Sequence, residues 1–388
     1  MFVKFSPCPV RELNINGAAK PHVCEDTSSR VEKLEREIAR TAHTESAMCF
    51  SSFSAALESV LRAWELGEGD EVVLSAFSHN AAAASVLRTG ATVRFIDTAP
   101  GSFHLDYNAL EAAITEKTKA VIATDVGGVL CDYERIDEIV ARKKQLFSPK
   151  NEMQAQFGRI IVVSDCAHGL GAERNGKQAG ELADFTVFSL HTAPGGALTW
   201  KQTEALDSAA LIRALSSFSP RVPCADAHVS SAWEYDILST ACECGMSEAA
   251  ACLGLREVKG IPAAKARRQE IIRRYNEAFS DLGIRVLAHE SECSCSSGYL
   301  YLMHIPDTFD GRRRAFIDYL VQNGVATDVH YKPLPMMTAY RNLGYDINDY
   351  PRAYASYQGE ISLPLYASLT DEEVSHVIKT FRDCLATV

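Results

Sequence analysis

The sequence predicts an α/β protein built on a mostly parallel sheet with helices on both faces, followed by a smaller C-terminal α+β domain. Two observations carry that expectation. Between Glu71 and Leu190, short apolar runs of strand length alternate with amphipathic segments of helical period. After Gly254, the composition shifts to a long charged helical segment and then to shorter mixed elements. Alternation at this spacing calls for crossover connections, which place helices on the two faces of a parallel sheet.

The elements follow in order. Val31–Arg40 (VEKLEREIAR) is an amphipathic helix with Glu32 and Arg36 at i,i+4. Ala55–Leu66 is a second helix, closed by the turn Gly67–Asp70. Strands are expected at Glu71–Leu74, Thr92–Asp97, Ala120–Thr124, Ile160–Ser164 and Phe185–Leu190. Helices are expected at Asn80–Arg88, Asn108–Thr115 and Ile136–Lys143. The polar stretch Lys144–Arg159 is long for a connection and reads as an exposed insertion. Ala263–Leu282 is a charged helix. Tyr299–His304 is a strand, Arg312–Asn323 a helix, Val325–Val329 a strand, and Asp371–Leu385 a terminal helix capped by Thr370. The division expected is an N-terminal arm at 1–30, a large α/β domain at 31–255 and a small domain at 256–388.

Composition narrows the function classes. With 388 residues and 47% hydrophobic content, the chain can bury a large core. A net charge of -11 argues against nucleic acid, which is bound through basic surface. No apolar run reaches the roughly 18–20 residues that span a bilayer, and the N-terminus lacks the apolar stretch of a secretory signal. A cytoplasmic protein is expected. The 12 cysteines are scattered, and the pairs Cys242/Cys244 and Cys293/Cys295 have C-x-C spacing rather than the C-x-x-C of zinc sites. No metal is expected.

The motifs that carry chemistry lie at strand ends. Ile161–Gly169 reads IVVSDCAHG, and Val187–Trp200 reads VFSLHTAPGGALTW. GEGDEVVLSAFSHNAAAASVLRTGATVRFID precedes them, and NGVATDVHYKPLPMMTAYRNLGY and SLPLYASLTDEEVSHVI follow. In this register the chain resembles the DegT/DnrJ/EryC1/StrS family of sugar aminotransferases, fold-type I enzymes dependent on pyridoxal phosphate (PLP), from about Val31 to Leu385. The resemblance implies that Asp165 pairs with the pyridinium nitrogen, keeping the ring an electron sink, and that His168 lies near the ring hydroxyl. It places His79 on the ring face. Ser52, Ser54 and Ser189 are placed at the phosphate, the first two at a helix N-terminus suited to anions. His330-Tyr331-Lys332-Pro333 falls beside the substrate, where Lys332 could neutralise an anion.

Three departures from the family pattern stand out. A strand like FSLH is followed in the family by the lysine that forms the Schiff base, yet no lysine lies between Lys177 and Lys201. A Schiff base requires a primary amine. The loop is also about six residues shorter than the family pattern, a change loops tolerate, and His191 is the nearest candidate substitute. Lys201 follows on the next strand. Phe53 stands where the family has glycine, which predicts a bulky ring at the phosphate end. Glu243 stands where the family has an asparagine that reaches the phosphate of the neighbouring subunit, and would bring a negative charge to a dianion.

These departures predict that ordinary transamination is absent and that PLP or pyridoxamine phosphate (PMP) is not bound or bound weakly. The expected role is a pseudoenzyme-like partner, as a homodimer or a heterodimer with an aminotransferase paralogue, or a repurposed cleft in a biosynthetic pathway with a sugar or amino-acid-like ligand. Two alternatives stand beside it: a PLP- or PMP-dependent aminotransferase- or dehydratase-type enzyme working without the lysine, and a cofactor-free enzyme using histidine, aspartate or lysine as acid and base. Candidate catalytic residues are His168, His191 and Lys332.

Overall fold

A computed structural model describes residues 3–4, 29–202, 243–305 and 311–388. Helix α1, Arg30–Ala42, buries the stripe Leu34, Ile38 and Ala42 and is capped by Ser29, whose hydroxyl accepts from the Glu32 N–H. Then come β1 (Ala47–Phe50), α2 (Phe53–Ala63), β2 (Glu71–Ser75), α3 (Asn80–Thr89), β3 (Thr92–Ile96), α4 (Tyr107–Ala113), β4 (Thr118–Thr124) and α5 (Tyr133–Arg142). The next elements are α6 (Glu152–Phe157), β5 (Ile161–Asp165), β6 (Glu173–Arg174), β7 (Lys177–Gln178), β8 (Phe185–Leu190) and β9 (Gly195–Trp200).

The central sheet has seven strands in the order β1-β9-β8-β5-β4-β2-β3. From β8 to β3 all neighbours run parallel. Every residue of β4 and β5 is buried, which is why both read as continuous apolar runs rather than alternating ones. The sequence reading misses β1 and gives no bounds for β9; the two add an antiparallel edge. β1 has only four residues, too short for a periodic pattern, and β9 begins with two glycines that blur its own. Gly196 is required there for space: a Cβ would meet the Ser52 carbonyl oxygen at 2.5 Å and the Phe53 nitrogen at 2.6 Å. β9 therefore packs directly against the start of α2.

The polar stretch 144–159 is not simply an exposed insertion. It contains α6, whose Gln154 amide donates to the Trp64 carbonyl at 2.6 Å and whose Phe157 ring sits edge-on to Trp64 at 5.3 Å. A long helix, α7 (Glu248–Phe279), begins earlier than the charged segment suggests and runs through residues 255 and 256. It leads to β10 (Arg285–Val286), β11 (Glu290–Ser291), β12 (Ser294–Cys295), β13 (Tyr301–His304) and α8 (Arg313–Gln322). The chain ends with α9 (Thr338–Arg341), α10 (Pro351–Gly359), β14 (Glu360–Leu363) and α11 (Asp371–Thr387). The small sheet is β10-β13-β14, and a third sheet joins β11-β12 to β6-β7. The expected strand at Val325–Val329 does not form. Val325 makes only a bridge to Val3, and Asp328 only a bridge to Ser362, so no continuous ladder is available. Thr370 caps α11 as expected, and Glu373 completes a capping box with it.

The close approach at Gly196 gives a direct test. Gly196→Ala should destabilise the fold by about 1–3 kcal/mol, because the clash is with backbone that must shift. Thermal or urea denaturation would register it, and an unchanged midpoint would contradict this packing.

Candidate active site

Parallel α/β sheets present their ligand sites at the carboxyl ends of the strands. Here the ends of β4, β5 and β8, the start of α2, the α7 helix and the loop 328–331 surround a cavity of about 1120 Å³. It is the larger of the two cavities described.

Asp165 ends β5 and is 3% exposed. Its carboxyl receives only long hydrogen bonds, 3.3 Å from the Thr124 hydroxyl and 3.4 Å from the Ala167 N–H. Burial, reinforced by the neighbouring carboxyl of Asp125, pushes its pKa up to about 7. Asp125 itself is well satisfied by Ser164, Tyr133 and the Cys131 N–H. Asp165 is thus a buried acid in want of a strong donor.

The opposite end of the cleft is the α2 N-terminus. Ser51, Ser52 and Ser54 line it, with Ser189 on β8. Ser52 caps the helix by accepting from the Ala55 N–H, which leaves the Phe53 and Ser54 N–H groups at the helix end. Phe53 corrects an expectation. Although its residue borders the cleft, its ring belongs to the hydrophobic core and is 9% exposed. The helix register, with Phe53 at the first helical position, turns the ring inward. Glu243, expected to act on the neighbouring subunit's site, is exposed and lies outside this chain's own cavity. Its neighbours Cys244 and Gly245 pair with Ser51 and Phe50 beside the α2 start. Ala241 and Cys242, in the same motif, lie outside the described residues.

The histidines form the cleft's third feature. His168 stacks on Tyr299 at 4.2 Å with an interplanar angle of 12°, and His191 lies 4.4 Å from the same tyrosine ring. Burial drives the His168 imidazole well below its ordinary range, aided by His191, His330 and His79. His191 donates from Nε2 to the Ala167 carbonyl at 3.0 Å, and burial also lowers its pKa. His79 is an exposed N-cap of α3: its Nδ1 accepts from the Ala81 N–H at 3.2 Å, so its ring serves first as a cap. It still borders the cleft, 5.9 Å from the Tyr331 ring.

The shortened loop after β8 is held by a residue that sequence reasoning missed. The Glu257 carboxylate on α7 accepts from the His191 and Thr192 N–H groups, both at 2.9 Å, and from the Thr192 hydroxyl. A carboxylate therefore grips the segment where the family resemblance calls for a lysine. Arg268 faces the cleft from the next turns of α7, its Nε donating to the Ser297 carbonyl at 3.1 Å. No single-sequence signal marks Glu257, because a glutamate on a helix is an ordinary solvated residue.

Neither Lys332 nor Lys201 lines this chain's cavity. Lys332 is exposed and does not line the cavity, whereas its neighbours His330 and Tyr331 do. The chain turns there so that Pro333 to Pro335 bury instead. Lys201 follows the far end of β9; its N–H bonds the Asp184 carbonyl below β8, six strand residues from the cleft at Gly195. At roughly 3.4 Å per residue that is about 20 Å away. Among the described residues no lysine lines the cleft, and the segment 203–242 contains none in its sequence.

These groups fit a pyridine ring and a phosphate: a buried acid lacking a strong donor at one end, and a helix N-terminus with serine hydroxyls at the other. They supply no amine for covalent attachment.

Known proteins share this fold. The profile of the DegT/DnrJ/EryC1/StrS aminotransferase family matches residues 14–382. The chain is 29% identical over 364 residues to the spore coat polysaccharide biosynthesis protein SpsC of Bacillus subtilis, covering 91% of this chain and 89% of that one. The candidate sugar aminotransferase Spr1654 of Streptococcus pneumoniae superposes in its PLP form with a TM-score of 0.90 at 36% identity, covering 99% of this chain and 98% of that one. Its PMP form gives a TM-score of 0.87 at 38% identity over 92% and 90%. No described helix is long and apolar enough to cross a membrane, and no described cluster of side chains suits a metal ion.

Two predictions test the site. Asp165 ionises near 3.8 when unfolded and near 7 when folded, so raising the pH from 4 to 7 deprotonates the unfolded chain first and lowers stability. Asp165→Asn should remove that slope and raise stability at pH 8 by roughly 4 kcal/mol at most, as read by urea denaturation at pH 5 and 8; an unaltered slope would contradict the raised pKa. Glu257→Ala should cost about 1–3 kcal/mol and speed amide exchange at His191 and Thr192. Unchanged exchange there would show that the clamp does not hold the loop. The chain belongs to the DegT/DnrJ/EryC1/StrS aminotransferase family.

Proposed function

We propose that this member of the sugar aminotransferase family does not carry out lysine-dependent transamination, and that its cleft holds PLP or PMP reversibly beside a sugar-like ligand. The carrying observation is the composition of the loop after β8. Its N–H groups are gripped by Glu257 and no lysine lines the cleft among the described residues. The retained Asp165 and the α2 N-terminus support binding without attachment. Such a cofactor supplies a ring that withdraws electrons from a substrate carbon. Asp165 would hold its ring nitrogen, and Ser52, Ser54 and Ser189 its phosphate. The sugar-like ligand is proposed from the similarity to a polysaccharide biosynthesis protein and a candidate sugar aminotransferase, and pairing with a second copy or an aminotransferase paralogue is proposed from the family resemblance.

A second reading is cofactor-free acid–base chemistry. One observation favours it: His79, His168, His191 and His330 line the same cleft, and burial lowers the pKa of each.

Equilibrium dialysis with PLP and with PMP tests the first reading. Both should bind, wash out completely, and bind at least about tenfold more weakly to Asp165→Asn, a difference of about 1.4 kcal/mol. Glutamate added to the PLP-loaded protein should yield no PMP. PLP retained through exhaustive dialysis, or conversion by glutamate, would overturn it.

A further inference from the structure

The smaller of the two cavities, about 410 Å³, lies outside the cleft. Its walls are the β3–α4 loop, the turn before α5, Arg174 on β6 and the β10–β12 segment of the small domain. Phe103, Leu105, Leu130 and Leu287 give it a buried apolar floor. These walls are anchored. Arg352 on α10 donates to the Asp106 carboxylate at 2.7 Å and its backbone N–H to Asp97 at 3.0 Å, which ties the β3–α4 loop to the small domain. The Cys131 N–H donates to Asp125 at 2.7 Å and its thiol to the Thr124 carbonyl at 3.4 Å, which ties the turn before α5 to the end of β4. The cavity is therefore formed before any ligand arrives, as small-molecule sites usually are.

Arg174 is the group this wall does not satisfy. Its side chain is 19% exposed, and among the described residues its guanidinium ion-pairs only with Asp132, at 3.2 Å. The Nε is buried with no hydrogen-bond partner. A buried charged donor left unused is costly. Lys177 is the ladder partner of Arg174 on β7, and Arg285 Nη1 reaches the rim, 3.7 Å from where a Cβ on Gly101 would stand. Arg174 and Asp132 are the only charged side chains lining the cavity among the described residues, and these two neighbouring cations tip the balance to positive.

Tyr107 adds a neutral donor to the same wall. Its hydroxyl accepts the Asp132 N–H at 2.7 Å, which leaves its own proton without an acceptor among the described residues. Burial raises the phenol's pKa, so the proton stays in place. His104 also lines the cavity, and burial and Arg174 push its pKa down to about 4, so the ring is uncharged at neutral pH.

We propose that this cavity binds a small monocarboxylate, with the carboxylate held by the Arg174 guanidinium and the Tyr107 hydroxyl and an apolar body resting on Phe103, Leu105 and Leu287. A guanidinium matches a carboxylate in shape, and hydrogen bonds between ionised partners are roughly twice as strong as neutral ones. A monoanion suits the wall better than a dianion, because Asp132 already answers part of the Arg174 charge and would repel a second negative charge. The site needs neither the cofactor nor the cleft's ligand, and it stands apart from both readings of the function.

Fluorine NMR of the full chain tests the assignment, with trifluorobutyrate as the probe and trifluorobutanol as its neutral counterpart. Trifluorobutyrate should bind saturably and shift the His104 ring resonances, assigned with His104→Gln, along the same isotherm. The alcohol should bind at least about tenfold more weakly, and inorganic phosphate should compete more weakly than butyrate. Arg174→Gln should weaken the carboxylate at least about tenfold and Tyr107→Phe about threefold, whereas Arg268→Gln in the large cleft should leave its binding unchanged. Circular dichroism checks the fold of each variant, and Tyr107→Phe carries the test if Arg174→Gln does not fold. Absence of saturable binding, equal binding of the alcohol, or full affinity in Arg174→Gln or Tyr107→Phe would overturn the site. Loss of binding in Arg268→Gln would place the carboxylate in the large cleft and overturn it equally, and phosphate competing as well as butyrate would overturn the choice of a monoanion. Because no cofactor is present, these failures are separate from any failure of reversible PLP binding.

Discussion

Two buried carboxyl groups at the ends of adjacent strands govern the cleft. The parallel register of β4 and β5 sets Thr124 opposite Asp165, and the Asp125 N–H then donates to the Asp165 carbonyl at 3.0 Å. Asp125 takes the strong donors, and Asp165 is left with weak ones and a raised pKa. An acid in that state is costly unless a donor arrives from the cleft. The strand geometry thus preserves a demand for a cationic or N–H-bearing ligand, whatever became of the chemistry at the other end of the cavity.

At that other end the charge is inverted. The family resemblance calls for an amine after β8, and the chain instead presents a glutamate from α7 bound to the loop backbone. Glu257 answers a structural need of the loop: N–H groups that end a strand must find acceptors. The same contact fills the position with negative charge. The ring of Phe53 turns into the core rather than across the phosphate end.

Much of this was legible in the sequence. Continuous apolar runs marked β4 and β5 because both faces are covered, and the same run located Asp165 at its strand end. The helix N-terminus at Ser52 was legible, and the N-cap at Thr370 likewise. Other parts were hidden for physical reasons. The direction of the Phe53 ring depends on helix register, which a residue name does not carry. Lys332 follows two cleft residues yet leaves the cleft, because the backbone turns at Pro333. Glu257 and Tyr299 reach the cleft from segments distant in sequence, and only the fold brings them there. The strand expected at Val325–Val329 had the apolar content but lacked a neighbouring strand to complete a ladder.

The central claim is that this cleft receives a pyridoxal-type cofactor without covalent capture. Its most direct measurement is the intact mass of the protein after incubation with PLP and reduction with borohydride, followed by denaturation. The account predicts the unmodified polypeptide mass. A mass increased by one reduced pyridoxyl phosphate, mapped to a lysine of this chain, would contradict it.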